Sequence, residues 1–143
     1  MLGCCCSFFY ITQDQAQEKS MSYVLTISKK HNYLHARVQG QNSEENVRRY
    51  LEEVVQECKD TKCRRVLIEE QLEGPRLGTL SVFEITSEGS FKTFGMFSAI
   101  AYVDNRAEGE SMLYTETAGV NRGLPIRVFP TAAEAEKWLM EQD

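Results

Sequence analysis

Three apolar residues in a row, Val66, Leu67 and Ile68, stand between Arg64-Arg65 and Glu69-Glu70. An unbroken apolar run bounded by charge is the pattern of a strand covered on both faces, so Arg64–Glu70 is predicted to be a central strand. Ahead of it, Val47, Tyr50, Leu51, Val54, Val55 and Cys58 recur every three or four positions. That spacing makes one apolar stripe on a helix whose other face carries Arg48, Arg49, Glu52, Glu53, Gln56 and Glu57. Ser43 is placed to cap this helix, and Glu44 and Glu45 complement its dipole. Earlier still, Tyr23–Ile27 and Tyr33–Gln39 alternate around the polar turn at 28–32. They read as an antiparallel hairpin with Leu34, Ala36 and Val38 toward the core and His35 and Arg37 on the opposite face.

Beyond the central strand, Gln71–Gly78 holds Gly74, Pro75 and Gly78 and reads as a loop. Leu80, Val82, Phe83 and Ile85 suggest a short helix that begins near Thr79 and Ser81, runs to about Glu88 and stops at Gly89. Phe97–Val103 is a second buried strand and Asp104–Gly109 a second polar loop. A helix over Glu110–Val120 ends at Asn121-Arg122-Gly123, Leu124–Phe129 forms the last strand, and Thr131–Glu134 is a capping box. That box opens a final helix which buries Ala135, Trp138 and Leu139. The expectation is a single α/β domain over 21–143, with a mixed five-stranded sheet (a hairpin, then strand-helix repeats) and about four helices.

Residues 1–20 break this pattern. Met1 to Ile11 is short, cysteine-rich and aromatic, without the basic start and longer apolar run of a secretory signal, and Gln13 to Ser20 is polar. These residues are expected to be an extension outside the fold, disordered or a misassigned start.

Charge and cysteine usage narrow the function classes. A formal net charge of -5 argues against nucleic acid as a partner, since phosphate recognition needs a clustered excess of Lys and Arg. No apolar run is long enough for a transmembrane segment. Of five cysteines, Cys4, Cys5 and Cys6 are adjacent and badly placed to bridge one another, while Cys58 and Cys63 read as free thiols, which points to a reducing, cytoplasmic setting. His31 and His35 lack a neighbouring carboxylate to complete a metal site, so no metal is expected.

If the two buried strands are parallel, the loops that follow them open on one sheet edge and bring Glu69, Glu70, Arg76, Asp104 and Arg106 together. The free N–H groups of the helix starting near Thr79 and Ser81 face the same space. Glu70, Arg76, Thr79, Ser81, Asp104 and Arg106 are therefore the candidates for a binding edge. No phosphate-binding or dinucleotide fingerprint is present, so no cofactor is expected. Nor do a nucleophile, a base and an orienting group occur together. The expected function is a non-catalytic regulatory or binding domain whose partner is another protein or a small ligand at 71–81 and 104–109. One alternative is a carrier of an apolar, lipid-like ligand, held by Phe83, Phe91 and Phe94 near Met96 and Phe97. The other is an enzyme using Glu69 or Glu70 with Asp104 and Arg76.

Two phrases carry a family resemblance. Asn121-Arg122-Gly123-Leu124-Pro125-Ile126-Arg127-Val128-Phe129 runs into Thr131-Ala132-Ala133-Glu134-Ala135-Glu136-Lys137-Trp138-Leu139, and Leu77-Gly78-Thr79-Leu80 opens the helix after the central strand. With the order of elements, these make Ser22 to Gln142 resemble the STAS-like proteins, the fold of bacterial anti-sigma-factor antagonists, and in particular small SpoIIAA-like proteins. The resemblance implies a domain that binds proteins or small ligands. In the antagonists, an Asp-Ser motif after the central strand is phosphorylated to switch partner binding. Here Glu69 to Arg76 stand in that place with no Ser or Thr before Thr79, so no phosphorylation switch is expected.

Overall fold

The computed structural model describes residues 8–12, 23–104, 106 and 109–142. The hairpin pattern produces β2 (Tyr23–Lys29) and β3 (Leu34–Gln41), antiparallel with Leu25 opposite Val38 and Ile27 opposite Ala36. The apolar stripe produces α1 (Glu44–Thr61), with the Ser43 hydroxyl accepting the Asn46 N–H at its start. At its end Lys62 adopts a left-handed conformation and its N–H reaches the carbonyls of Cys58 and Lys59. The chain then forms β4 (Arg65–Glu73), α2 (Thr79–Lys92), β5 (Ala99–Asp104), α3 (Gly109–Val120), β6 (Ile126–Phe129) and α4 (Ala132–Met140).

β3, β4, β5 and β6 are parallel neighbours in chain order. Crossovers of one hand that all step the same way along a sheet deliver their helices to the same face. Val47, Tyr50, Val54 and Cys58 of α1 accordingly share a core with Leu25, Leu34, Val66, Ile68 and Ile100, and Ile85 of α2 packs at its margin. α3 lies against α2 and β6. It comes so close that a Cβ on Gly119 would stand 2.6 Å from Ile126 Cγ2, so only glycine fits there. The other face receives α4, whose Ala135 and Leu139 pack on Leu67, Ala99, Ala101, Val103 and Phe129. The α/β class, the five expected strands and the four expected helices are all present among the described residues.

The structure differs from the sequence reading at several points. Phe8–Thr12 forms a further strand, β1, paired antiparallel with β2 from Phe8 opposite Ser28 to Thr12 opposite Val24, so the sheet has six strands. These five residues belong to the stretch expected to lie outside the fold. Cys4 to Cys6 fall outside the described residues. The loop assigned to Gln71–Gly78 begins later, because β3 continues to Gln41 and pairs Gly40 and Gln41 with Leu72 and Glu73. α2 does not stop at Gly89: Thr93 donates both its N–H and its hydroxyl to the Gly89 carbonyl and closes the helix one turn further on. The α2 N-cap is Gly78, with no side-chain cap, so Thr79 is the first residue of the helix and Ser81 lies in its first turn. Finally, Trp138 is half-buried against Phe129, with ring centroids 5.6 Å apart, while Ala135 and Leu139 are the fully buried residues of α4.

Candidate functional site

The stripe that α2 turns toward the sheet consists of Val82, Ile85, Thr86 and Gly89, followed by Thr93 just past its end. All are short. Opposite them stand Val66, Ile68 and Ile100, again short and branched. Two surfaces of small side chains cannot close the gap between a helix and a sheet, and no residue of α2 is buried. A cavity of about 190 Å³ remains between α2, α1 and strands β4 to β6. Leu51, Val54 and Val55 line it from α1, Thr115 from α3, and Phe97, Leu124 and Ile126 close the end near the strand starts.

The other end, at the carboxyl ends of β4 and β5, is polar. Glu70, Tyr102, Arg76 and Asn42 line it. The Tyr50 hydroxyl donates to Glu70 Oε2 at 2.6 Å, and Tyr102 hydrogen-bonds to the same carboxyl. Burial pushes the Glu70 carboxyl above the usual carboxylate range. The two phenolic bonds and the Arg76 charge pull the other way, and the Asp104 charge adds to the rise. Burial likewise drives the Tyr50 and Tyr102 hydroxyls well above their ordinary value, so both remain protonated donors. Arg76 is engaged by Asp104 at 2.8 Å. The backbone N–H of Arg106 donates to Asp104 Oδ1 at 2.9 Å, and its guanidinium reaches the Gly74 carbonyl at 2.8 Å. Asn42 ties this edge to α1's approach by donating to the Pro75 carbonyl at 2.8 Å.

A second hollow, between α1 and α2, shares Leu51, Val55, Ile85, Gly89 and Thr93 with the cavity and opens it sideways. Ion pairs cross this side opening. Arg48 of α1 meets Glu88 and lies 3.7 Å from Glu84 of α2, and Lys92 lies 3.6 Å from Glu52. Ser81 of α2 donates to Glu44 of α1 at 2.9 Å.

Of the residues singled out in the sequence, Glu70, Arg76, Asp104 and Arg106 do meet at one edge, as parallel β4 and β5 require. Glu69 points to the opposite face, where it bonds His35 Nε2 at 2.9 Å. Thr79 contributes its carbonyl, which accepts the Tyr114 hydroxyl at 3.2 Å, and Ser81 is spent on Glu44. The three phenylalanines are elsewhere. Phe91 is 86% and Phe94 92% exposed, and Phe83 lies on the outer side of α2 under the Arg122 guanidinium. Phe83 and Phe91 sit off the inward stripe by helical phase, and Phe94 lies past the end of α2, so none of them lines the cavity. Phe97 does.

Tyr50 and Tyr102 were not singled out from sequence. Tyr50 merely continues the apolar stripe of α1 and Tyr102 the apolar run of β5, and nothing in either pattern shows that both hydroxyls end on one carboxyl. Cys58 and Cys63 are buried free thiols, and burial pushes Cys58 up to about 12, which leaves it unreactive. Among the described residues, no group of three or more His, Cys, Asp or Glu side chains is placed to hold a metal ion. Nor is any described helix long and apolar enough to cross a membrane. Compared with known proteins, the chain matches no family model and no curated protein.

Proposed function

We propose that this is a non-catalytic binding domain whose ligand is a small, mostly apolar molecule held beneath α2, with its polar end at the carboxyl edge of β4 and β5. The cavity carries this reading: it has apolar walls and one polar end, the usual make-up of a small-molecule site. At about 190 Å³ it suits one ring or a short chain rather than a long lipid. Among the described residues lining it, Glu70 is the one carboxyl. The hydroxyls of Thr86 and Thr93 are spent on helix carbonyls. The order of elements that suggested a STAS-like domain supports a binding role, and we propose membership of that family on the sequence phrases above.

Toluene is the direct probe. Titrated against the protein, it should shift the methyl resonances of Val66, Val82, Ile85 and Ile100 together and leave those of Val24 unmoved. The absence of any such shift at saturating toluene would sink the reading.

A second reading, a protein partner at the same edge, is favoured by the exposure of Leu80, Leu113 and Tyr114 beside the start of α2. Exposed apolar side chains on adjoining helices are what such a partner would cover. Under this reading, replacing Leu80 and Leu113 by Ser abolishes the complex and leaves toluene binding intact.

A further inference from the structure

We propose that the ligand of this cavity is a small aromatic or short-chain amine whose ammonium group seats on Glu70, an inference that rests on the cavity being a binding site. Three observations point to that head group.

The first is the balance of donors and acceptors. A carboxylate offers about four acceptor positions, and the phenols of Tyr50 and Tyr102 occupy two. Tyr50 spends its single donor on Glu70 Oε2, and the two phenols also hydrogen-bond to each other. The capacity left over on the Glu70 carboxyl itself is therefore accepting, and its complement is a group with several N–H donors.

The second is charge. Glu70 and Arg76 are the charged side chains lining the cavity, and the guanidinium is already neutralised by Asp104 at 2.8 Å. Asp104 is itself held by the Arg106 N–H at 2.9 Å. Glu70 has no cation of its own. The groups that face it are Tyr50 from α1, Tyr102 and Asp104 from β5, and Arg76 from the loop after β4. Burial raises the cost of its charged form, and a bound ammonium supplies what is lacking.

The third is size. Val66 and Glu70 lie four residues apart along β4, roughly 13 Å, so the space runs along the strand as a slot. An apolar cavity of roughly 150 Å³ accepts benzene. About 190 Å³ thus admits a ring plus the one or two further heavy atoms that would bring a nitrogen to Glu70.

Calorimetric titration with toluene, benzylamine and benzoate separates the possibilities, since the three are nearly the same size and differ in the head. Benzylamine should bind at least about tenfold more tightly than toluene, and benzoate more weakly than either. Glu70→Gln should bring benzylamine to within about threefold of toluene, with methyl resonances remote from the cavity showing that the variant is folded. In the unmodified protein, the advantage of benzylamine over toluene should fall as pH is lowered through the titration of Glu70, while the affinity for toluene stays constant. That measurement decides the matter even if Glu70→Gln does not fold. If toluene binds and benzylamine binds no tighter, the amine inference fails and the cavity reading stands. If benzoate binds tightest, Arg76 is the anchor and the inference again fails. If none of the three binds, both readings fall.

Discussion

The Tyr50 hydroxyl lies 2.6 Å from a Glu70 carboxyl oxygen, joining α1 to β4 at the polar end of the cavity. Tyr50 is fully buried, and with Tyr102 it holds the carboxyl from two sides. The arrangement fixes the rotamer of a group whose charged form burial disfavours.

That state has a signature in stability. Glu70's carboxyl is held above its ordinary value in the folded protein, chiefly by burial, so the native state binds its proton more tightly than the unfolded chain does. Its contribution to stability is complete below the unfolded carboxylate value and is lost as pH rises through the folded one. Glu70→Gln removes this dependence. The variant should gain on the unmodified protein as pH rises above about 4, the unfolded carboxylate value, with the difference levelling off above the folded value. Urea midpoints across that range check it, and parallel curves would show that Glu70 titrates like an exposed carboxyl.

Gly89 lies within α2 and faces the cavity, and a Cβ built on it meets no atom within 4 Å. Leucine there would enter the empty space. Removing a helical glycine contributes up to about 1 kcal/mol, and burying the new side chain adds about 1 to 2 more. Gly89→Leu is therefore expected to raise the unfolding free energy by about 1 to 3 kcal/mol while abolishing toluene binding. Gain of stability with loss of binding identifies a cavity kept open for occupancy. A destabilised variant would mean that α2 already packs closer to the sheet.

The elements were legible in the sequence because their periods were strong. Val66 to Ile68 made an unbroken run and Val47 to Cys58 a clean stripe, and both became the elements those patterns predict. The edge residues followed from parallel wiring alone, which is why Glu70, Arg76, Asp104 and Arg106 meet. The cavity was not legible, since it arises from residues too small to fill a space, and the eye goes to the large ones. Phe83, Phe91 and Phe94 drew attention by size, yet the helical phase set by Val82, Ile85, Thr86 and Gly89 turns the two within α2 outward. Gly74, Pro75 and Gly78 mark a loop in the sequence, yet Gln71 to Glu73 stay in β4 because pairing with β3 decides the outcome there.

α2 is held over the cavity by polar contacts at its rim. Arg48 joins Glu44 of its own helix to Glu84 and Glu88 of α2. The pairs are partly exposed, so each contributes little to global stability. Arg48→Ala should lower the unfolding free energy by less than about 1 kcal/mol yet speed amide exchange along α2 several-fold, because local opening draws on the least stable contacts. Raising the salt concentration should have the same effect on the unmodified protein. Hydrogen exchange read by mass spectrometry, with α1 as the internal reference, checks both. Unchanged exchange in α2 would mean that its docking is apolar after all.

Residues 1–20 carry the last prediction, because the sequence pattern and the structure give them different weight. Read as an extension outside the fold, they could be deleted with almost no change in stability. Paired as β1, Phe8 to Thr12 cover the outer edge of β2 with an antiparallel ladder. Its removal would leave the N–H and C=O groups of alternate β2 residues unpaired at a sheet edge. Each hydrogen bond contributes about 1 kcal/mol net, and an exposed edge recovers part of that from water, so a chain starting at Met21 should lose about 1 to 3 kcal/mol. The open edge should also pair with another chain, since an uncovered strand is a template for association. Urea unfolding and sedimentation equilibrium of the truncated protein read the two effects separately. A truncated chain that stays monomeric and loses less than about 1 kcal/mol would return residues 1–20 to the status of an extension.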